Sequence, residues 1–132
     1  MKTAVRYYSK LGNTEKIARA IAEGAGVEAV SVVDEPSLPE KADLLFLGGA
    51  PYANIMAPEL KAYAEGLSAE TVGKVVLFTT SNWSRRTVLA LKKLFREKGI
   101  PVADDFFYAH MLNIGGRIEA AREFGRKTAE QP

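Results

Sequence analysis

TAVRYYSKLGNTEKIARAIAEG, residues 3–24, changes period midway, and that change decides the fold. TAVRYY (3–8) is short, β-branched and aromatic, which predicts a strand. From Thr14 to about Glu23, Ile17, Ala18, Ile21 and Ala22 recur at helical spacing and mark one apolar face. Gly24 and Gly26 stop that helix. Between the two periods lies SKLGNT (9–14), which leaves the strand through a hydroxyl, a lysine, a glycine, an asparagine and a second hydroxyl.

The same alternation runs outward along the chain. VEAVSVV (27–33) predicts a second strand, followed by the polar, proline-bearing loop DEPSLPE. DLLFLGG (43–49) is nearly all apolar, as expected of a strand with helices on both sheet faces. A helix runs from Pro58 to about Gly66 with Leu60, Tyr63, Ala64 and Leu67 as its stripe. KVVLFTT (74–80) is a further buried strand, and RTVLALKKLFREK (86–98) a helix with Val88, Leu91 and Phe95 on one side. IPVADDFFY (100–108) is a less uniformly apolar strand, expected nearer an edge, and GRIEAAREFGRKTAE (116–130) is a closing helix. Five strands alternating with helices specify α/β architecture, a doubly wound parallel sheet in a single domain spanning 1–132.

Composition narrows the function. Of 132 residues 47% are hydrophobic and 26% charged, an ordinary balance for one core. The net charge of +2 comes from interspersed signs, so no nucleic-acid partner is expected. The absence of cysteine excludes disulfides, thiolate metal sites and a cysteine nucleophile. His110 is the sole histidine, which excludes a histidine-rich zinc site, and no metal is expected. The start, MKTAVRYYSK, meets charge too soon for a signal peptide, and no apolar run approaches the roughly 18 residues of a membrane span. A soluble cytoplasmic protein, monomeric or weakly dimeric and not membrane-bound, is the expectation.

In a doubly wound sheet ligands bind beyond the carboxyl ends of the strands, where strand order reverses. The loops there are SKLGNT, GAPYANIMAP (49–58) and TSNWSRR (80–86), which are also the loops of oddest composition. Gly12 permits a tight turn, Thr14 or Asn13 can cap the helix, and the first-turn amides face the same hollow. With the hydroxyls of Ser9 and Thr14 this is phosphate-binding chemistry. It is neither a Gly-Lys-Ser/Thr loop nor the three-glycine dinucleotide fingerprint. Tyr52 and Trp83 stand in the other two loops and suit a flat ring held between them.

SKLGNT is similar to the Ser/Thr-x-Thr-Gly-Asn-Thr phosphate loop of flavodoxins, and the resemblance extends over essentially the whole chain. It implies a flavodoxin-like three-layer sandwich with strand order 2-1-3-4-5. It implies FMN, with the phosphate held by Ser9, Lys10, Leu11, Gly12, Asn13 and Thr14, largely through backbone amides. Pro51, Tyr52, Ala53 and Asn54 would touch the isoalloxazine, and Thr80, Ser81, Asn82, Trp83 and Ser84 would supply the other ring wall. The implied activity is electron transfer, or a small FMN-dependent reductase acting on a quinone-like acceptor. Its partner would be a redox protein or a small acceptor, and no side chain is marked as catalytic. His110 reads as surface structure, and Tyr7, Tyr8 and Tyr108 as sheet packing.

Three departures from the family pattern stand out. Leu11 replaces a threonine, which removes one phosphate hydroxyl but leaves the backbone cradle. Tyr52-Ala53-Asn54 lacks the glycine whose peptide flip favours one-electron chemistry in many flavodoxins. The chain is slightly basic where flavodoxins are typically acidic, and Arg85 and Arg86 follow the ring loop, where they would favour the reduced, anionic flavin. The alternative is a flavodoxin-shaped binding or regulatory module that uses no flavin. A response-regulator domain does not fit, since the first strand ends Arg6-Tyr7-Tyr8-Ser9 without an acidic cluster.

Overall fold

The computed structural model describes residues 1–52 and 55–131. In chain order the elements are β1 (Thr3–Tyr8), α1 (Asn13–Ala25), β2 (Ala29–Ser31), β3 (Ala42–Gly49), β4 (Pro51–Tyr52) and β5 (Ile55–Met56). They continue with α2 (Pro58–Glu65), β6 (Val72–Ser81), α3 (Arg86–Lys98), β7 (Phe107–His110) and α4 (Ile118–Glu130). The main sheet is parallel throughout, in the order β2-β1-β3-β6-β7, and this is the expected 2-1-3-4-5 order of a flavodoxin-like sandwich.

The apolar run of β3 shows why helices cover both faces. Successive side chains of a strand point to opposite sides. Leu44 and Phe46 therefore join one core with Val5, Tyr7, Val76 and Phe78 against α1 and α4. Leu45 and Leu47 join the other with Val75 and Leu77 against α2 and α3. Phe46, Phe78 and Phe95 are wholly buried, and each such ring contributes about 1.5–3 kcal/mol relative to exposure. Among the described residues four α-helices cover the two faces, because the connection from β2 to β3, residues 32–41, crosses without one.

Three elements differ from the sequence reading. β2 pairs with β1 only over Ala29–Ser31, not 27–33, because Val27 turns into the core beneath α1 and Val33 is exposed. The last strand, expected at 100–108, touches β6 at one bridge, Val75 to Val102, and resumes at Phe107–His110. Asp104 and Asp105 between them stay exposed, so the ladder breaks where two carboxylates would have to enter it. The loop after β3 holds a small antiparallel pair, Pro51 with Met56 and Tyr52 with Ile55, too short to leave a period of its own in the sequence.

Two glycines let the backbones of α1 and α4 approach closely. A Cβ on Gly24 would overlap the Arg122 carbonyl oxygen, and one on Gly125 would overlap that of Ile21. These two glycines let the helix that follows SKLGNT lie flush against its neighbour. Gly125→Ala is expected to lower the unfolding free energy by roughly 1–3 kcal/mol, the range for overpacking. Gly115→Ala, where a Cβ meets open space, should stay within about 0.5 kcal/mol of wild type. Urea unfolding of the two variants decides it, and equal midpoints would contradict the close packing.

Candidate functional site

Parallel register brings the carboxyl ends of β1, β3 and β6 to one side of the sheet, with Tyr8 beside Gly49, Gly48 beside Phe78, and β6 continuing to Ser81. Thr79 Oγ1 donates to the Gly49 carbonyl at 2.7 Å and ties those ends together. The loops that leave them enclose a half-open cleft of about 240 Å³. Ser9, Leu11, Asn13 and Thr14 form one wall, Pro51 and Tyr52 a second, and Thr80, Ser81, Asn82 and Ser84 a third. Ala50 and Met111 complete the lining.

The first wall is built around an uncapped helix start. Gly12 precedes α1 in a left-handed conformation, φ 97°, and no side chain caps the helix. The backbone amide of Lys16 is the first with an intrahelical acceptor, the Gly12 carbonyl at 3.1 Å. The amides of Asn13, Thr14 and Glu15 have no acceptor among the described residues, as a bare helix start requires. Two other amides of the loop are already used: Gly12 N–H donates to Ser9 Oγ at 3.0 Å, and Lys10 N–H to the Tyr52 hydroxyl at 2.7 Å. The expected cap by Thr14 or Asn13 is therefore corrected. The Thr14 hydroxyl instead meets that of Thr80 at 2.7 Å, both side chains being buried, and so links the first wall to the third.

Tyr52 serves the cleft twice. Its hydroxyl holds the SKLGNT backbone, and its ring stands edge-on to Tyr8 with centroids 6.1 Å apart. Burial, the largest influence, pushes this phenol above its ordinary range, with the Lys10 amide pulling the other way. The group therefore keeps its proton near neutrality.

Trp83 does not line the cleft. Its backbone is left-handed, φ 68°, a strained state for a bulky side chain, and its amide is held by the Tyr108 hydroxyl at 2.8 Å. That hydroxyl in turn donates to the Ser81 carbonyl at 2.9 Å. The indole stacks on Tyr108 and meets His110 edge-on, so the pairing of Tyr52 with Trp83 about one ring is not present in this arrangement. Tyr108, read from sequence as sheet packing, is the anchor of the third wall.

His110 is likewise drawn into the site. The Leu112 amide donates to its Nδ1 at 3.1 Å, so the neutral ring carries its proton on Nε2 and donates to Asn82 Oδ1 at 3.0 Å. Met111 follows because its amide bonds the Ser81 carbonyl at 2.9 Å, extending the β6–β7 register past the strand. Lys10 and Gly12 shape the first wall without lining it, and Ala53 and Asn54 lie outside the described residues. Arg85 lies over the Phe106 ring at 5.4 Å, and Arg86 lines a separate groove between α2 and α3, so neither enters the cleft. No cluster of metal-ligating side chains occurs among the described residues, and no helix there is long and apolar enough to cross a membrane.

Known structures resemble this arrangement as a whole. Oxidised flavodoxin 1 from Bacillus cereus superposes with a TM-score of 0.79 at 18% identity, covering 98% of this chain and 99% of that one. A Fusobacterium nucleatum flavodoxin bound to flavin mononucleotide gives a TM-score of 0.72 at 15% identity, over 99% and 98% of the two chains. In sequence the chain is 31% identical, over 97% of its length, to an uncharacterized protein of Methanocaldococcus jannaschii, of which it spans 37%. No family model matches the chain. The fold is flavodoxin-like.

The Thr14–Thr80 hydroxyl pair gives a direct measure of how firmly the walls are joined. Thr80→Val strands a buried hydroxyl and should cost roughly 1–3 kcal/mol in ligand-free protein. The Thr14→Val/Thr80→Val double variant should recover part of that loss. Chemical unfolding of the four proteins measures the coupling, and a neutral Thr80→Val would show that the pair contributes nothing.

Proposed function

We propose that the cleft binds FMN and that the chain is a redox protein, passing electrons to a protein partner or reducing a small quinone-like acceptor. The observation that carries this reading is the convergence of the uncapped start of α1 with the Tyr52 ring in one cleft. Three amides without acceptors at a positive helix end match a phosphate, and Gly12 supplies the conformation that aims them. The donor set fits without arginine in the loop, and Leu11 subtracts one hydroxyl from a cradle made chiefly of backbone.

Asn13, Thr14 and the Ser9–Gly12 loop would hold the phosphate. Pro51 and Tyr52 would flank the ring on one side, and the Ser81–Ser84 backbone with Met111 on the other. The flavin supplies the electron storage that no side chain here possesses. The protein's part is placement: Tyr52 fixes the phosphate loop, His110 orients the Asn82 amide, and Tyr108 holds residues 81–83 in their strained turn. Arg85 and Arg86 act at longer range, adding positive potential that favours the reduced anion.

Titration with FMN, followed by flavin and Trp83 fluorescence, tests the reading. Saturable binding with a shifted flavin spectrum is expected, and a colourless protein that ignores FMN would end it. Gly12→Val, which forces a β-branched residue to φ 97°, should weaken FMN by roughly tenfold or more, the equivalent of about 1.4 kcal/mol. In the Arg85→Ala/Arg86→Ala double variant the potential of the fully reduced flavin should fall. A redox titration showing no change would dismiss the electrostatic role.

A further inference from the structure

Four large apolar side chains crowd the mouth of the cleft. Leu112 is 85% exposed, Leu11 78%, Trp83 73% and Met111 43%. They come from three separate loops, and no core explains Leu112 or Leu11. Exposed apolar groups gathered from several loops mark contact surfaces more often than scattered ones do.

The loops around the cleft are basic, while the two acids of this edge outside the helices, Asp34 and Glu35, lie in the connection after the edge strand β2, with Glu35 3.8 Å from Arg6. Loops 9–14, 50–57, 81–86 and 109–117 contain Lys10, Arg85, Arg86 and Arg117 and no aspartate or glutamate. No carboxylate pairs with any of these four cations among the described residues. Three of them rest on aromatic faces instead: Lys10 on Tyr52, Arg85 on Phe106 and Arg117 on Phe107. At the helix starts of this edge Glu15 pairs with Arg19, and Glu59 pushes the Tyr8 phenol above its ordinary range. Arg85 and Arg86 also open α3, where the helix dipole disfavours cations, so helix stability does not account for them. At the opposite edge the loops 1–2, 26–28, 40–41, 66–71 and 99–106 hold Glu28, Glu40, Glu70, Asp104 and Asp105 against Lys2 and Lys41. The basic groups are therefore concentrated around the cleft itself.

We propose that this mouth is the docking face for an acidic electron-carrier protein, an inference that rests on the FMN reading. An apolar centre inside a basic rim complements a partner surface with an apolar centre inside a carboxylate rim. The unpaired cations would steer it, and Leu112, Leu11 and Trp83 would be buried on contact. Docked there, the carrier faces the opening of the cleft. One electron lost by one centre is gained by the other, so no further reactant is needed.

The test measures binding of an acidic [2Fe–2S] ferredoxin to the FMN-loaded protein by calorimetry, at about 20 mM and about 200 mM salt. Basic cytochrome c serves as the opposite-charge probe. Ferredoxin should bind at low salt and weaken roughly tenfold or more at high salt. Arg85→Glu/Arg86→Glu should abolish that binding. Leu112→Ser should weaken it several-fold while leaving the FMN spectrum and the salt dependence intact. The proposal is overturned if ferredoxin fails to bind at low salt, if cytochrome c binds as well, or if reversing the arginine pair changes nothing. Low-salt sedimentation that shows head-to-tail association excluding ferredoxin would overturn it in favour of a second copy of this chain. Loss of FMN binding alone would show as an absent flavin spectrum, which separates failure of the cofactor reading from failure of the docking face.

Discussion

The parallel register of β1, β3 and β6 is the constraint on which the site depends. Because Tyr8 aligns with Gly49 and Gly48 with Phe78, β1 and β3 end level and β6 runs on only to Ser81 beside them. Their loops must then leave side by side. A slip of one residue would turn Leu44 and Phe46 toward the helices now packed on Leu45 and Leu47. Two filled cores therefore hold the register, and the register gathers into one cleft chain segments that are far apart in sequence.

What the register gathers, a few polar contacts then fix. Thr14 meets Thr80, Thr79 meets the Gly49 carbonyl, and Tyr52 grips the Lys10 amide. Each joins a different pair of loops. Together they leave the amides at the start of α1 unsatisfied and pointing outward, a state that a side-chain cap would have prevented. Positioning is thus bought with side chains that would otherwise satisfy the helix end. Trp83 carries the other visible strain, a left-handed backbone on a bulky residue, held by one tyrosine hydroxyl.

Much of the fold and part of the site were legible before any coordinates. The helices at 86–98 and 58–66 showed because their apolar residues recur at a fixed spacing, and the central strands because they are apolar on both faces. β2 and the broken final strand were misjudged in extent, since Val27, Val33 and the Asp104-Asp105 pair are placed by neighbours and not by local period. In the site, SKLGNT was readable from its residue types. Met111 was not, because only its hydrogen bond to Ser81 carries it to the cleft. The stacking of the Trp83 ring on Tyr108, beside the cleft and not across it from Tyr52, was not readable either, since aromatic character does not say which way a ring turns.

By itself the sequence determined the alternation of strand and helix, the polar loop before α1, and the absence of cysteine chemistry. These follow from local spacing and composition, which act over a few residues. Only the tertiary structure decided that Thr14 bonds across to Thr80 instead of capping its helix. Only the tertiary structure seated Trp83 on Tyr108 and His110, and turned Arg85 and Arg86 away from the cleft. Those outcomes depend on which atoms packing brings within about 3–6 Å, and residues that are distant in the chain meet only after the sheet has set its register.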